Sequence, residues 1–289
     1  MRLNGERALE LGSLEPLLDV LAQTIGNRNQ MFMSAKFTLA LLFGILSLAP
    51  ALATDPKPDV VVKTKAIDAS VTLDPQIKAV PALAANCLAE GRKWMEKNAA
   101  DATKQFKEDK ELFRDGPYSY GRVYSVRSIV AEHYVSVLRD DYIDTHGAHP
   151  NRTVDTILWD KADNKRISIR PFFTETADNG ATMTAIRTAV IASLKEEKKI
   201  RGAGDTDDWW SEGLEPKLLK IGAVTLAPST ISGKSSGLTF HYPPYAVGSY
   251  AEGDYVAFVP WEVLKPYLTT EGQAIFAGSR PKEDVKEDN

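Results

Sequence analysis

Residues 33–53 read MSAKFTLALLFGILSLAPALA, and they set where folding of the rest can begin. Lys36 gives a positive start, Phe37 to Leu48 is a mostly apolar run without charge, and Ala51-Leu52-Ala53 is a small-residue cleavage signal. Those three parts in that order form the pattern of a secretory signal peptide. The run is shorter than the ~20 apolar residues that span a bilayer. Pro50 also ends regular structure just before the cleavage point. Cleavage at Ala53/Thr54 is expected, giving a periplasmic or secreted chain that touches membrane only during export. The rival reading keeps the segment as an uncleaved anchor. No cysteine directly follows the run, which argues against a lipoprotein. Met31 and Met33 both suit as starts, so 1–30 reads as an over-extended start and 31–53 as the signal.

The remaining chain has the composition of a globular protein. Of 289 residues, 43% are hydrophobic and 26% charged, enough apolar material to bury a core. The formal net charge of −4 gives no basic face for nucleic acid. Cys87 is the only cysteine, so an internal disulfide is impossible. It lies in an apolar helical stretch and is expected to be buried and inert. The competing reading has it join two chains.

Periodicity supplies the elements. Val60 to Lys65 and Ala69 to Leu73 read as strands. Residues 81–113 read as a helix with Leu83, Cys87, Trp94, Phe106 and Phe113 inward, ended by Asp115-Gly116-Pro117. Tyr118 to Arg139 reads as two strands, with alternation through Tyr120, Arg122, Tyr124 and Val126 and on through Ile129, Ala131, His133 and Val135. Asp140 to Pro150 reads as a loop, Asn151 to Trp159 as a strand, and 160–165 as a hairpin turn. Asn179 to Lys199 is a second helix, with Met183, Ile186, Val190, Ile191 and Leu194 on one face and a solvated basic end from Lys195 to Arg201. A short helix is expected near 214–220 and strands near 222–227, 237–242 and 254–259. Trp261 to Leu268 closes the fold, and the polar stretch from 278 is expected to fray. Helices interrupt hairpins rather than alternating with single strands, so the fold class is α+β, an antiparallel sheet with helices packed against it.

Chemistry-bearing residues are few. There is no G-x-S-x-G elbow. Ser232-Gly-Lys-Ser-Ser-Gly237 lacks phosphate-loop spacing. His146 and His149 can share a metal if His133, Asp141 or Asp144 supplies a third ligand, but no HExxH or cysteine pair supports that reading. Asp205, Asp207, Asp208 and Glu212 surround Trp209 and Trp210. This group reads as a solvated loop with one tryptophan in the core, as a calcium site, or as a sugar-stacking or protein-binding face. Tyr242, Tyr245, Tyr250 and Tyr255 sit among Pro243, Pro244 and Pro260, and divide between packing and a binding face.

His146-Gly-Ala-His149-Pro-Asn151 resembles the Gly-Gly-Ala-His-Gly-Asn segment of a family of bacterial extracytoplasmic domains. That family includes the sensing domain of the anti-sigma factor RsiV and an accessory domain of the peptidoglycan deacetylase PdaC. Further segments are similar in order. They are Val154 to Trp159 with Arg166 to Phe173, then Gly237 to Gly253, then Val256 to Pro260 with Trp261 to Leu268. The likeness runs over roughly 120–270, and more weakly over 60–115. Three positions depart from the pattern: His146 for a glycine, Pro150 for another, and Ala246 for a common glutamate. The family's sigma-binding segment, membrane helix and deacetylase domain are not seen, so neither signalling nor deacetylation carries over.

The resemblance implies an envelope domain that binds something, lysozyme in RsiV-like members, and it makes His149 a turn residue bonded to nearby backbone. It places strands and a helix at 54–115, the family-like domain at 116–272 and a polar tail at 273–289. The expected function is an exported, non-enzymatic binding or sensing module for lysozyme or a peptidoglycan-related ligand. The expected contact residues are His149, Tyr242, Tyr245, Tyr250, Trp209 and Trp210. No catalytic residue, metal ligand or cofactor is assigned. The alternative is a metal-dependent envelope hydrolase using His146 and His149.

Overall fold

The computed structural model describes residues 57–203 and 209–287. The export signal, the segment before it and the acidic positions Asp205, Asp207 and Asp208 lie outside the described residues. Among the described residues no helix is long and apolar enough to cross a membrane.

Six strands form the first sheet: β1 (Val60–Lys63), β2 (Ile67–Leu73), β3 (Tyr118–Val130), β4 (Tyr134–Asp144), β5 (Asn151–Asp160) and β6 (Lys165–Ile167), in that spatial order. Four of its five pairings are antiparallel, but β2 and β3 run parallel. The sheet is therefore mixed, a correction to the antiparallel expectation. The cause is the connection. Between β2 and β3 the chain runs through α1 (Pro75–Lys78) and α2 (Pro81–Glu108). A crossover of that length returns the next strand in the same direction, as a tight hairpin cannot.

Helix α2 starts at Pro81, where a missing N–H costs nothing. It ends at Glu108 rather than at 113, and Glu111–Phe113 forms a separate 3-10 turn. Leu83, Cys87 and Met95 point into the core, while Trp94 and Phe106 are half-buried. Gly91 lets α2 approach β2 closely: a Cβ there would lie 2.9 Å from Val71 Cγ1. Cys87 is fully buried, and burial, reinforced by Glu90, pushes its thiol up to about 12. A cross-chain disulfide through Cys87 would require unfolding.

The β3–β4 hairpin turns at Ala131 and Glu132, both in the left-handed region. That interrupts the alternation expected through His133. β4 runs on to Asp144, so half of the expected 140–150 loop is strand.

The second sheet is antiparallel, in the order β7 (Ala223–Leu226), β8 (Gly237–Tyr242), β9 (Tyr255–Pro260). Helix α3 (Ala181–Ile200) packs on β9 through Met183, Ile186, Val190 and Leu194, all fully buried. Four short helices complete this half: α4 (Trp209–Glu212), α5 (Trp261–Leu264), α6 (Thr270–Ile275) and α7 (Lys282–Glu287). The helix expected at 214–220 is absent there, its nearest counterpart being α4. Part of the polar end is helical rather than frayed. Every residue of the central strand β8 is buried.

Candidate functional site

The site is made by two loops. The first follows β4. Asp144 Oδ1 accepts from the His146 N–H at 2.9 Å, a side-chain turn that stabilises His146 at φ 58°. His146 is exposed and turned toward the β3 start, with Nδ1 3.0 Å from the Leu112 carbonyl and its ring edge-on to Tyr118. His149 is turned elsewhere. Its Nδ1 lies 3.0 Å from the Pro150 carbonyl, and its Nε2 lies 2.8 Å from the Tyr245 hydroxyl. A carbonyl only accepts, so Nδ1 carries a proton, and in the neutral imidazole the Tyr245 hydroxyl donates to Nε2.

The second loop follows β8. Pro243 and Pro244 end the strand, and the Ala246 N–H closes a turn on the Pro243 carbonyl at 3.1 Å. Tyr245 sits in this turn at φ 72°, a strained conformation for a bulky side chain, and is 59% exposed. Backbone strain of this kind clusters where function holds it. Tyr250 lies on a 3-10 turn built by a capping box. Ser249 is the cap, and its N–H donates to Glu252 Oε1 at 2.7 Å.

The support under Tyr250 reaches into the core. Glu252 Oε2 accepts from Lys198 Nζ at 2.7 Å and from the Tyr255 hydroxyl at 2.8 Å. Burial alone would raise the Glu252 carboxyl, but the bonds from Lys198, the Ser249 N–H and Tyr255 outweigh it and hold it at about 2. Lys198 is buried, its ammonium 4.3 Å from the Tyr255 ring centre and 5.5 Å from that of Trp210. The solvated basic end expected for α3 therefore contains a buried anchor. Arg201 adds to it by donating to the Asp254 carbonyl at 2.7 Å.

Three rings converge on this scaffold. His149 stacks on Tyr250 with centroids 3.6 Å apart and planes 19° apart. Tyr245 lies 5.7 Å from His149 and 5.6 Å from Tyr250. Tyr142 on β4 is 39% exposed; burial, then Asp144 and Tyr250, raises its hydroxyl, but no ring contact joins it to the three among the described residues. Beside the cluster, Arg152 on β5 is ion-paired with both Asp140 and Asp254, which ties the β4–β5 hairpin to the start of β9. The result is an exposed aromatic surface with phenol and imidazole at its rim, suited to stacking and hydrogen bonding.

Three of the six expected contact residues thus meet: His149, Tyr245 and Tyr250. Tyr242 does not. It is buried, donates to the Ile221 carbonyl at 2.6 Å and packs on Gly222. The sequence held that signal, because Tyr242 shares the strand face of Leu238 and Phe240 whereas Tyr245 lies beyond the two prolines. Trp210 is also buried, under Lys198, while Trp209 is 63% exposed; neither makes a ring contact with the cluster. His146 and His149 are bonded in different directions, and among the described residues no group of three His, Cys, Asp or Glu side chains is arranged to hold a metal.

No curated protein matches this chain. Solved structures similar to it include two of one family. A DUF3298 family protein from Pseudomonas aeruginosa PAO1 covers 76% of this chain and 92% of its own, at 15% identity and a TM-score of 0.47. A member of the same family from Bacteroides fragilis NCTC 9343 covers 73% of this chain and 92% of its own, at 16% identity and a TM-score of 0.46. Residues 176–262, the stretch that carries α3, Tyr245 and Tyr250, match the family described as "Protein of unknown function (DUF3298)".

Proposed function

We propose that this chain is an exported, non-enzymatic binding or sensing module of the cell envelope whose contact face is the His149–Tyr245–Tyr250 cluster. The observation that carries the reading is Tyr245 itself: a large aromatic, strained in backbone and largely exposed, fixed by a hydrogen bond to a histidine that stacks on a second tyrosine. Packing does not account for such an arrangement, because an exposed ring gains little from burial. Rigid aromatics of this kind dominate recognition, since they bring large contact area at low entropic cost. The export pattern at 31–53 and the resemblance to RsiV-like domains support the envelope setting. They favour lysozyme or a peptidoglycan fragment as ligand.

The test is saturable binding of the purified protein to a c-type lysozyme, with inhibition of that lysozyme on cell walls and Tyr245→Ala as the control. Binding that weakens at least ~10-fold, about 1.4 kcal/mol, in the variant supports the reading. No binding at about 10 μM, about −7 kcal/mol of affinity, removes lysozyme and moves the assay to peptidoglycan fragments. If those fragments also fail to bind, or bind the variant equally well, the face has no such role.

A further inference from the structure

The two sheets press together at β7, which packs against β3, β4 and β5. Past β7, where β8 and β9 continue the second sheet, a cavity of about 170 Å³ lies between them. Arg127, Asp140 and Arg152 line it from the first sheet, and His241, Asp254 and Val256 from the side of the second. Arg152 is exposed and Asp254 half-buried, so the cavity opens beside the loop that carries Tyr250.

The charges of this cavity are already matched. Arg152 is ion-paired with Asp140 and Asp254, and Arg127 with Asp284 at 2.7 Å. An ion entering here would give up its water and meet charges of both signs. Two hydrogen-bonding atoms are left over. Asp254 engages Arg152 through Oδ2, and its Oδ1 has no hydrogen-bond partner among the described residues. His241 is 5% exposed, with Nε2 2.9 Å from the Thr225 hydroxyl, and its Nδ1 has no partner among the described residues. Buried polar atoms are nearly always hydrogen-bonded, so two orphans on one polar cavity mark where a bound group completes them.

We propose that this cavity is a subsite of the His149–Tyr245–Tyr250 face and takes one neutral sugar residue of a glycan chain; the inference rests on the binding role proposed for that face. A sugar hydroxyl both donates and accepts. It donates to Asp254 Oδ1 and serves His241 Nδ1 in either tautomer. A carboxylate or phosphate only accepts, and Asp140 and Asp254 repel it. An ammonium only donates, and it meets Arg127 and Arg152. The rings next to the opening supply the apolar stacking surface that a pyranose also needs. A drug-sized ligand fills ~300 Å³ or more. The smaller cavity suits a single ring, with the rest of the chain left to the exposed tyrosines.

The probe is tri-N-acetylchitotriose, titrated into the full protein labelled with nitrogen-15 and followed by amide NMR shifts, with tri-alanine as the peptide counterpart. The expected result is saturable shifts at the amides of Val154, Asp254 and Val256 as well as at Tyr250, and none with tri-alanine. Val256→Phe fills the cavity with a ring and weakens sugar binding at least ~10-fold, with the circular-dichroism melt as the check on folding. If that variant does not fold, Asp254→Ala carries the same test, because Arg152 keeps Asp140 as its partner. Three results overturn the proposal: no saturable sugar binding, shifts confined to Tyr245 and Tyr250 while the cavity amides stay still, or equal binding of tri-alanine. Lysozyme binding that depends on Tyr245 without any sugar binding overturns this inference alone and leaves the role of the face standing.

Discussion

The two sheets meet their helices with different chemistry. Under α2 the first sheet buries an ionic cluster. Arg122, 4% exposed, makes two hydrogen bonds of 2.6 Å to Asp141 and lies 4.4 Å from the Trp94 ring centre. Arg139 bridges Glu90, Asp141 and Asp155 around it. Under α3 the second sheet buries mainly methyl groups and rings; Lys198–Glu252 lies at the helix end nearest the aromatic face, and Asp284 pairs with Arg127 and Arg280 elsewhere in this half. A buried charge pair with good geometry fixes which strands sit together but adds little net stability, because desolvation offsets the attraction. An apolar interface adds stability in proportion to the surface it removes from water. The first half is thus specified by polar geometry. The second is stabilised mainly by packing and uses Lys198–Glu252 to aim a loop.

Removing one partner of the ionic cluster gives the largest effect. Asp141→Ala leaves Arg122 buried and unpaired, and urea denaturation should show a loss of about 3–5 kcal/mol. Arg122→Met with Asp141→Leu should lose far less. A single variant costing under ~1 kcal/mol would erase the contrast between the halves. On the apolar side, Leu194→Ala should cost about 3 kcal/mol in the same assay, by lost transfer energy and a cavity.

Acid separates the halves further. Burial first, then the charges of Arg127 and Arg280, hold His241 on β8 down at about 3. The folded chain keeps it neutral to that pH, while the unfolded chain takes up the proton near 6.5. Stability therefore falls as pH drops below ~6.5 and stops falling near 3, with about 3 kcal/mol lost by pH 4. His241→Gln should flatten that limb in pH-dependent melts. Glu252, depressed to about 2 from 4.5, adds a second loss between those values, and Glu252→Gln should remove it. The smallest effect on stability belongs to Tyr245→Gly. Relief of the positive φ should leave stability unchanged or raised by up to ~1 kcal/mol, while ligand binding falls. A large loss of stability there would make Tyr245 a packing residue and end the site assignment.

The sequence carried much of this. The apolar spacing of Met183, Ile186, Val190 and Leu194 is the buried face of α3, and Cys87 is buried as its surroundings implied. Tyr120, Arg122 and Tyr124 do share the buried face of β3. What alternation could not show is that the arginine on that face would find Asp141 nineteen residues on, in a segment that read half as loop. Of the tyrosines near 245, the strand face separated Tyr242 from the others, but nothing local joined Tyr245 and Tyr250 to His149, about a hundred residues earlier.

Local rules determined the elements: periodicity 2 and 3.6 for strands and helices, prolines at Pro81 and Pro243 for their limits, and the apolar run at 37–48 for the expected export signal. Tertiary structure decided the direction of β3 against β2, the burial of Lys198 and the meeting of three rings on one face. Those outcomes depend on contacts between residues far apart in the chain. A side chain's local pattern states which way it can point, and only the packed neighbour decides whether it is covered.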